Sequence, residues 1–236
     1  TNDIRYSNDN GATWNSATSG SSVAKSLSFA GGYFFITGSN GKLFTSTNGS
    51  SWTDRTISTT NDLSPFVVYG GGQWVIGTTP GVIYSATSVS SWTANPVQPA
   101  SPVVYGNGVF VGNDGADLYV STDGLTYTLA YVTGDSLVPT IAFSDGAFWA
   151  RQDAGNLLFY STDGFDWYAT SNTSAITGAK TFIGAFESGI FIGGGLADAT
   201  IYRYQLVSTE TVTVQNSLSL SPATADLELW HSLSGA

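Results

Sequence analysis

The sequence contains no cysteine and no methionine, and one histidine among its 236 residues. Without Cys, disulfide stapling and thiolate chemistry are excluded, and the redox compartment leaves no mark. The lone His231 has no Cys or second His with which to share a metal or a triad, so it reads as a surface or packing residue. Met is missing even at position 1, as expected of a processed, trimmed or partly ordered chain. Charge is scarce as well: 10% of residues are Asp, Glu, Lys or Arg, and 17 acids against 7 bases leave a net charge of −10. So few cations give no basic stripe to neutralise phosphates, which excludes nucleic acid as a partner. No apolar run approaches the roughly 20 residues that span a bilayer, and no charged-then-apolar leader opens the chain, so no membrane insertion is expected. No helix-period segment competes in the first 205 residues, and nothing calls for a cofactor.

What is present is strand and turn chemistry. Hydrophobic residues make up 42% and aromatics 14%, with 28 glycines at regular places. With so little charge, Ser, Thr, Asn and Gly must cover the surface. Five boxes recur: Ser7–Trp14, Ser46–Trp52, Ser85–Trp92, Ser121–Tyr127 and Ser161–Trp167. Each opens on Ser and closes on an aromatic. A second motif alternates with them, an aromatic, two residues and a glycine before an apolar run, at Phe29, Tyr69, Tyr105, Phe143 and Phe186. It reads as a β-hairpin whose turn needs positive φ. A third strand leads into the box (LFTS, VIYS, LYVS, LFYS) and a fourth leaves from its closing aromatic. Four antiparallel strands per repeat of about 40 residues are the unit of a β-propeller blade. The fold class is therefore all-β.

The pattern Ser-x-Asp-x-Gly-x-Thr-Trp, met at every defined position by Ser7 to Trp14, resembles the Asp-box or BNR repeat of sialidase-like β-propellers. The resemblance implies a propeller over residues 1–204. It is weakest in the third box, where Ala86 and Thr87 stand in place of the acid and no Gly follows, and Asn48 replaces Asp in the second. A ligand role should not survive such losses, whereas a turn can be rebuilt. Asp9, Asn48, Asp123 and Asp163 are therefore read as turn acceptors, and Trp14, Trp52, Trp92 and Trp167 as plugs between neighbouring sheets. No box has calcium-loop spacing. No metal is expected.

The motifs are out of phase: the chain begins with a third and fourth strand and reaches its last aromatic hairpin near residue 193. The simplest closure pairs the two ends in one composite blade, giving five blades. The alternative is six, because Ile201–Tyr204 looks like a further third strand without its box. Residues 205–236 are expected to leave the repeat. Their Leu218, Leu220, Leu227, Leu229 and Trp230 need a surface, either the propeller's flank or another subunit of an assembly, and the functional weight falls on the subunit.

The three converging arginines and the tyrosine–glutamate pair that a sialidase resemblance would require do not transfer: the four arginines are Arg5, Arg55, Arg151 and Arg203, two of them beside tyrosines in strands. Carboxylate pairs for glycoside hydrolysis would have to come from acidic loops. In the resembling family ligands meet the face opposite the boxes. On this chain that face is expected to present Asp114, Asp117, Tyr131, Arg151 and Asp153, together with the interblade loop around Thr59 to Asp62, amenable to sugar hydroxyls and ring faces. The reading is a non-enzymatic structural or adhesive component of an extracellular assembly, a phage or virus particle or its tail, with a cell-surface glycan as possible ligand. The alternatives are a glycan-active enzyme and a cellular scaffold factor.

Overall fold

A computed structural model describes residues 3–18, 24–79, 81–95, 103–133, 137–144, 146–152, 158–169, 182–185, 190–194, 200–208 and 211–219. Every regular element among them is a strand. Sheet 1 has two, β1 (Asp3–Tyr6) and β2 (Asn15–Thr18). Sheet 2 holds β3 (Ala24–Ala30), β4 (Tyr33–Gly38), β5 (Leu43–Ser46) and β6 (Thr53–Asp54). Sheet 3 holds β7 (Asp62–Gly70), β8 (Gln73–Thr79), β9 (Ile83–Ser88) and β10 (Ser91–Asn95). Sheet 4 holds β11 (Val103–Gly106), β12 (Val109–Asn113), β13 (Leu118–Ser121) and β14 (Thr128–Tyr131). Sheet 5 holds β15 (Leu137–Ser144), β16 (Ala147–Gln152), β17 (Leu158–Ser161) and β18 (Tyr168–Ala169). Sheet 6 holds β19 (Phe182–Ala185), β20 (Ile190–Gly194), β21 (Thr200–Ser208) and β22 (Thr211–Ser219). All pairings are antiparallel between chain neighbours, so each sheet is an up-and-down meander, and the first strands of successive sheets touch from β3 through to β19. This is β-propeller architecture.

Two sequence expectations are corrected here. The last hairpin, β19–β20, does not pair with the N-terminal strands to make a composite blade: it pairs with β21, which pairs with β22. The expected boundary at 204/205 falls inside β21, and the alternating TVTV segment, Thr211 to Val214, belongs to β22. Period-2 alternation was the only signal for that strand, because no box announces it. The residues from Leu220 to Ala236, with Leu227, Leu229 and Trp230, lie outside the described residues.

The core lies between the sheets. Second and third strands supply its fully buried members, among them Phe35, Leu43, Val75, Ile83, Phe110, Val111, Leu118 and Phe148. The aromatic ending each first strand has its own task. The Tyr105 ring lies against Gly70 of the preceding sheet, where a Cβ would come within 2.2 Å of the ring, and Phe143 covers Gly106 in the same way. Glycine follows the aromatic because the next sheet's aromatic occupies the space of its side chain. Phe29, Tyr69, Tyr105 and Phe143 thereby line a cavity of about 350 Å³ at the inner end of the first strands.

Candidate functional site

The boxes come first, because their polar residues are the obvious candidates. In the second, the Ser46 hydroxyl accepts the N–H groups of Gly49 (2.8 Å) and Asn48 (3.2 Å) and donates to Asn48 Oδ1 (3.1 Å). That oxygen also accepts from Ser50 (3.0 Å) and Ser51 (2.9 Å). The fourth and fifth boxes repeat the network: Asp123 accepts from Leu125 and Thr126, both at 2.8 Å, and Asp163 from Phe165 (2.8 Å) and Asp166 (2.9 Å). Backbone N–H donors, that of Asp166 foremost, hold the Asp163 carboxyl below its usual range. Burial pushes Asp123 the other way, but the N–H bonds from Thr126 and Leu125 outweigh it. An amide at Asn48 takes the same donors as the carboxylates, so the turn needs an acceptor and not a charge.

The closing tryptophan completes the turn. Trp52 Nε1 donates to Gly49 O (2.9 Å) and Trp167 Nε1 to Gly164 O (3.0 Å). In the third box Trp92 Nε1 donates to Val89 O (3.1 Å), which puts buried Val89 at the glycine's place. Strand register agrees: Ala86 faces Trp74 as Ser46 faces Phe34, Ser121 faces Phe110 and Ser161 faces Phe148. The third box therefore begins at Ala86 and not at Ser85, and Ser88 stands where the acid was sought. Its hydroxyl accepts the Ser90 N–H at 3.4 Å, a weaker version of the same turn. The first box departs in packing. Trp14 is 60% exposed and plugs no gap between sheets, whereas Trp167 is 7% exposed.

Turns and boxes share one face of the molecule. Asn107, in the β11–β12 turn, donates from Nδ2 to Gly146 O (2.7 Å) in the next such turn and to Thr162 O (2.8 Å) in the fifth box. The β12–β13 turn lies on the other face and holds two of the candidates. Asp114 Oδ1 accepts from Ala116 (2.9 Å) and Asp117 (2.8 Å), and Oδ2 accepts from the Tyr119 hydroxyl (3.0 Å). Burial raises the Asp114 pKa, but these three donors bring it below the ordinary value; burial and the neighbouring carboxylate push Tyr119 up to about 12. Asp117 accepts from Thr133 N–H at 3.2 Å. Asp114 thus closes its own turn, while the Asp117 carboxylate ties that turn to the segment after β14. Tyr131 packs on Phe159 with ring centroids 5.3 Å apart. Arg151 was expected on the loop face but sits in β16 at 3% exposure. Asp153 lies outside the described residues. The structure does not gather these five into one cavity.

A site the sequence flagged only at one edge is a cleft of about 630 Å³ between sheets 2 and 3, on the face opposite the boxes. Asn40 from the β4–β5 turn, Thr56 to Asn61 from the β6–β7 connection, and Val82 and Tyr84 from the entry to β9 line it. Its floor is rigidly hydrogen-bonded. Gly41 donates to Asn61 O and Ile57 to Gly41 O, both at 2.9 Å, and a Cβ on Gly41 would lie 2.1 Å from Ile57 O. Asn40 is held at φ 54°, and its N–H donates to Asp62 Oδ1 (3.3 Å), whose other oxygen pairs with Lys25 (2.5 Å). Asp54 accepts from Thr56 at 2.5 Å, the main cause of its lowered pKa, and lies 3.9 Å from Lys42. The cleft thus offers exposed Asn40, Thr56, Ser58 and Thr60 over an apolar base of Ile57 and Tyr84. No group of three His, Cys, Asp or Glu that could hold a metal occurs among the described residues. The cleft escaped the sequence because three separate connections build it; only Thr59 to Asp62 stood out as an interblade loop.

No protein-family model matches the chain, and no curated protein sequence matches it. Solved structures do. A streptogramin B lyase structure is 13% identical with a TM-score of 0.72, over 93% of this chain and 76% of that one. YCF48 from Cyanidioschyzon merolae is 17% identical with a TM-score of 0.60, over 82% and 71%. BamB from Moraxella catarrhalis is 13% identical with a TM-score of 0.55, over 80% and 58%. At these identities the likeness establishes the propeller fold alone.

Proposed function

We propose that this propeller is a non-enzymatic recognition module of an extracellular assembly, a virus or phage particle or its tail, and that it meets glycan hydroxyls in the cleft between sheets 2 and 3. The observation that carries this reading is the cleft itself: preformed, lined by hydroxyl and amide side chains over an apolar base, and set on the face away from the structural turns. The low charge and the Ser/Thr/Asn/Gly surface support an extracellular setting. Asp114, the candidate acid whose carboxyl is held below the ordinary range, is ionised at neutral pH and suits an acceptor of hydrogen bonds better than a general acid. One similar structure is a catalytically inactive histidine-to-alanine virginiamycin B lyase from Staphylococcus aureus with quinupristin; the single histidine here, His231, lies outside the described residues.

A second reading has an observation of its own. Another similar structure is YCF48 bound to D1 peptide, 15% identical with a TM-score of 0.62, so a peptide is the competing ligand class. A glycan array with an assay for released sugar, run beside a peptide array, separates the three. Retained glycan without released product is the expected result, and Ser58→Ala with Thr60→Val should weaken binding about tenfold or more at unchanged Tm. Released sugar makes the protein an enzyme, and peptide-only binding moves it to the scaffold class.

A further inference from the structure

Seven basic residues serve the whole chain against 17 acids, and most of those whose side chains the structure describes are engaged. Lys25 pairs with Asp62 (2.5 Å) and Lys42 lies 3.9 Å from Asp54, while Arg5 and Arg151 have partners of their own. Arg55 is the exception among the described residues: no carboxylate pairs with it, and its Nε is buried with no hydrogen-bond partner. The residue is partly exposed, and Nη1 and Nη2 are the atoms that reach solvent. Strand alternation explains why the adjacent Asp54 does not pair with it. Arg55 N–H donates to Leu43 O (2.7 Å) and Ile57 N–H to Gly41 O (2.9 Å), which extends the β5–β6 ladder beyond Asp54. Arg55 therefore shares a side of sheet 2 with Leu43 and Ile57, the side packed on sheet 3, and Asp54 is on the other side with Phe44.

That side leads into the cleft. Ile57 belongs to the cleft's apolar base and Thr56 lines it, and two residues of extended chain set Arg55 about 7 Å from Ile57 along the strand. The aliphatic stem of an arginine spans a comparable distance. With Nε buried, the guanidinium presents its two Nη groups, an end-on fork that matches two oxygens of a carboxylate or a sulfate ester. A charged donor held partly buried without a counter-charge is costly, and a chain of net charge −10 has acids to spare for pairing it. The fold leaves that partner to come from outside. On the same cleft the exposed hydroxyls of Ser58 and Thr60 and the Asn40 amide make no side-chain hydrogen bond among the described residues, whereas Thr56 and Asn61 are engaged. We propose that Arg55 sets the specificity of the cleft: its Nη–H donors take an oxyanion substituent, carboxylate or sulfate ester, on a glycan whose hydroxyls bind at Asn40, Ser58 and Thr60. This rests on the glycan reading of the cleft and narrows the ligand to acidic glycans.

Inorganic sulfate tests the fork without any glycan. Titrated into the full chain, it should shift the Arg55 Nε–H resonance well beyond the change that chloride causes at matched ionic strength; equal shifts overturn the proposal. Matched glycan pairs test the specificity: a neutral oligosaccharide, the same backbone with a uronate, and the same backbone with a sulfate ester. At least one charged member should bind the unsubstituted protein tenfold or more tightly than the neutral one, with an advantage that fades as salt is raised, and the two charged arms tell which oxyanion fits. Arg55→Gln should erase the preference. Arg55→Lys, which keeps the charge without the planar fork, should restore part of it. Equal affinity for neutral and charged members overturns the proposal and leaves the glycan reading of the cleft standing. Binding of none of the three, in a protein whose Arg55 still responds to sulfate, overturns that reading and this proposal with it.

Discussion

The first and fifth boxes are the same turn in two settings. In both, a serine hydroxyl accepts the glycine N–H at 2.8 Å and an aspartate oxygen accepts a later N–H at 2.8 Å. The first box is one residue longer, with Asn10 at φ 57° before Gly11, and reaches its bonds at i+4. The difference lies in packing. Gly164 is buried against Val109 and Val111 of sheet 4, and Trp167 is inside. Gly11 and Trp14 are exposed. The local motif therefore closes without help, and the propeller draws stability from it only where a complete neighbouring sheet receives it.

That comparison can be broken most sharply at the tryptophans. Trp167→Ala should cost about 3–5 kcal/mol, the range for emptying a buried aromatic site, whereas Trp14→Ala should stay within about 0.5 kcal/mol, as for an exposed position. Chemical denaturation of the two variants measures both. Equal costs would mean that the first box is packed as tightly as the fifth.

The glycines come next. A Cβ at Gly164 would lie 3.0 Å from both Val109 and Val111, at φ +83°. Left-handed strain and overpacking together give about 2–4 kcal/mol for Gly164→Ala. Gly11→Ala meets only the Trp14 ring, at 3.9 Å, so strain alone applies, about 1–2 kcal/mol. A Gly11→Ala cost matching that of Gly164→Ala would show that conformation, and not the neighbouring sheet, dominates.

A smaller effect tests whether the box needs an acceptor or a charge. Asp163→Ala removes the acceptor for two backbone N–H groups and should cost about 1–2 kcal/mol. Asp163→Asn should stay within about 0.5 kcal/mol, because Asn48 already holds the same donors in the second box. A large loss in the Asn variant, restored by added calcium, would turn the box into a metal site.

These contrasts also explain what the sequence could and could not convey. The strands of sheets 2 to 5 were legible because each is flanked by a turn with its own chemistry, aromatic-x-x-Gly on one side and a box on the other. β22 was legible only by its alternation, because neither signal precedes it in the sequence. The third box was misregistered by one residue since Ser85 and Ser88 both offer hydroxyls, and only backbone pairing, Trp74 opposite Ala86, decides. Arg151 read as a loop cation, yet it lies in β16, a strand buried on both faces from Phe148 to Ala150, and is buried with them. Of the cleft only one loop was visible: sequence periodicity reports which residues face the core, and not which connections meet across a sheet boundary.

The smallest effect is expected in acid. Asp9 is held at about 2, first by the Thr13 hydroxyl, then by Ser7 and the Thr13 N–H; Asp163 and Asp123 are also held below the usual value by the N–H groups of their turns. A carboxyl whose folded pKa lies below its unfolded value, about 3.9, binds fewer protons folded than unfolded between the two. Its contribution is therefore complete above pH ~4 and disappears as pH falls toward the folded pKa. Between pH 5 and 2 the Tm of the unsubstituted protein should fall, and Asp163→Asn, which no longer titrates there, should flatten part of that fall. Asp9→Asn should flatten less of it despite the lower pKa of Asp9, because the first box is solvent-exposed and its opening uncouples little else. If Asp9→Asn flattens the acid limb as much as Asp163→Asn does, the first box is coupled to global unfolding as tightly as the fifth, and sheet 1 is an integral part of a ring already closed.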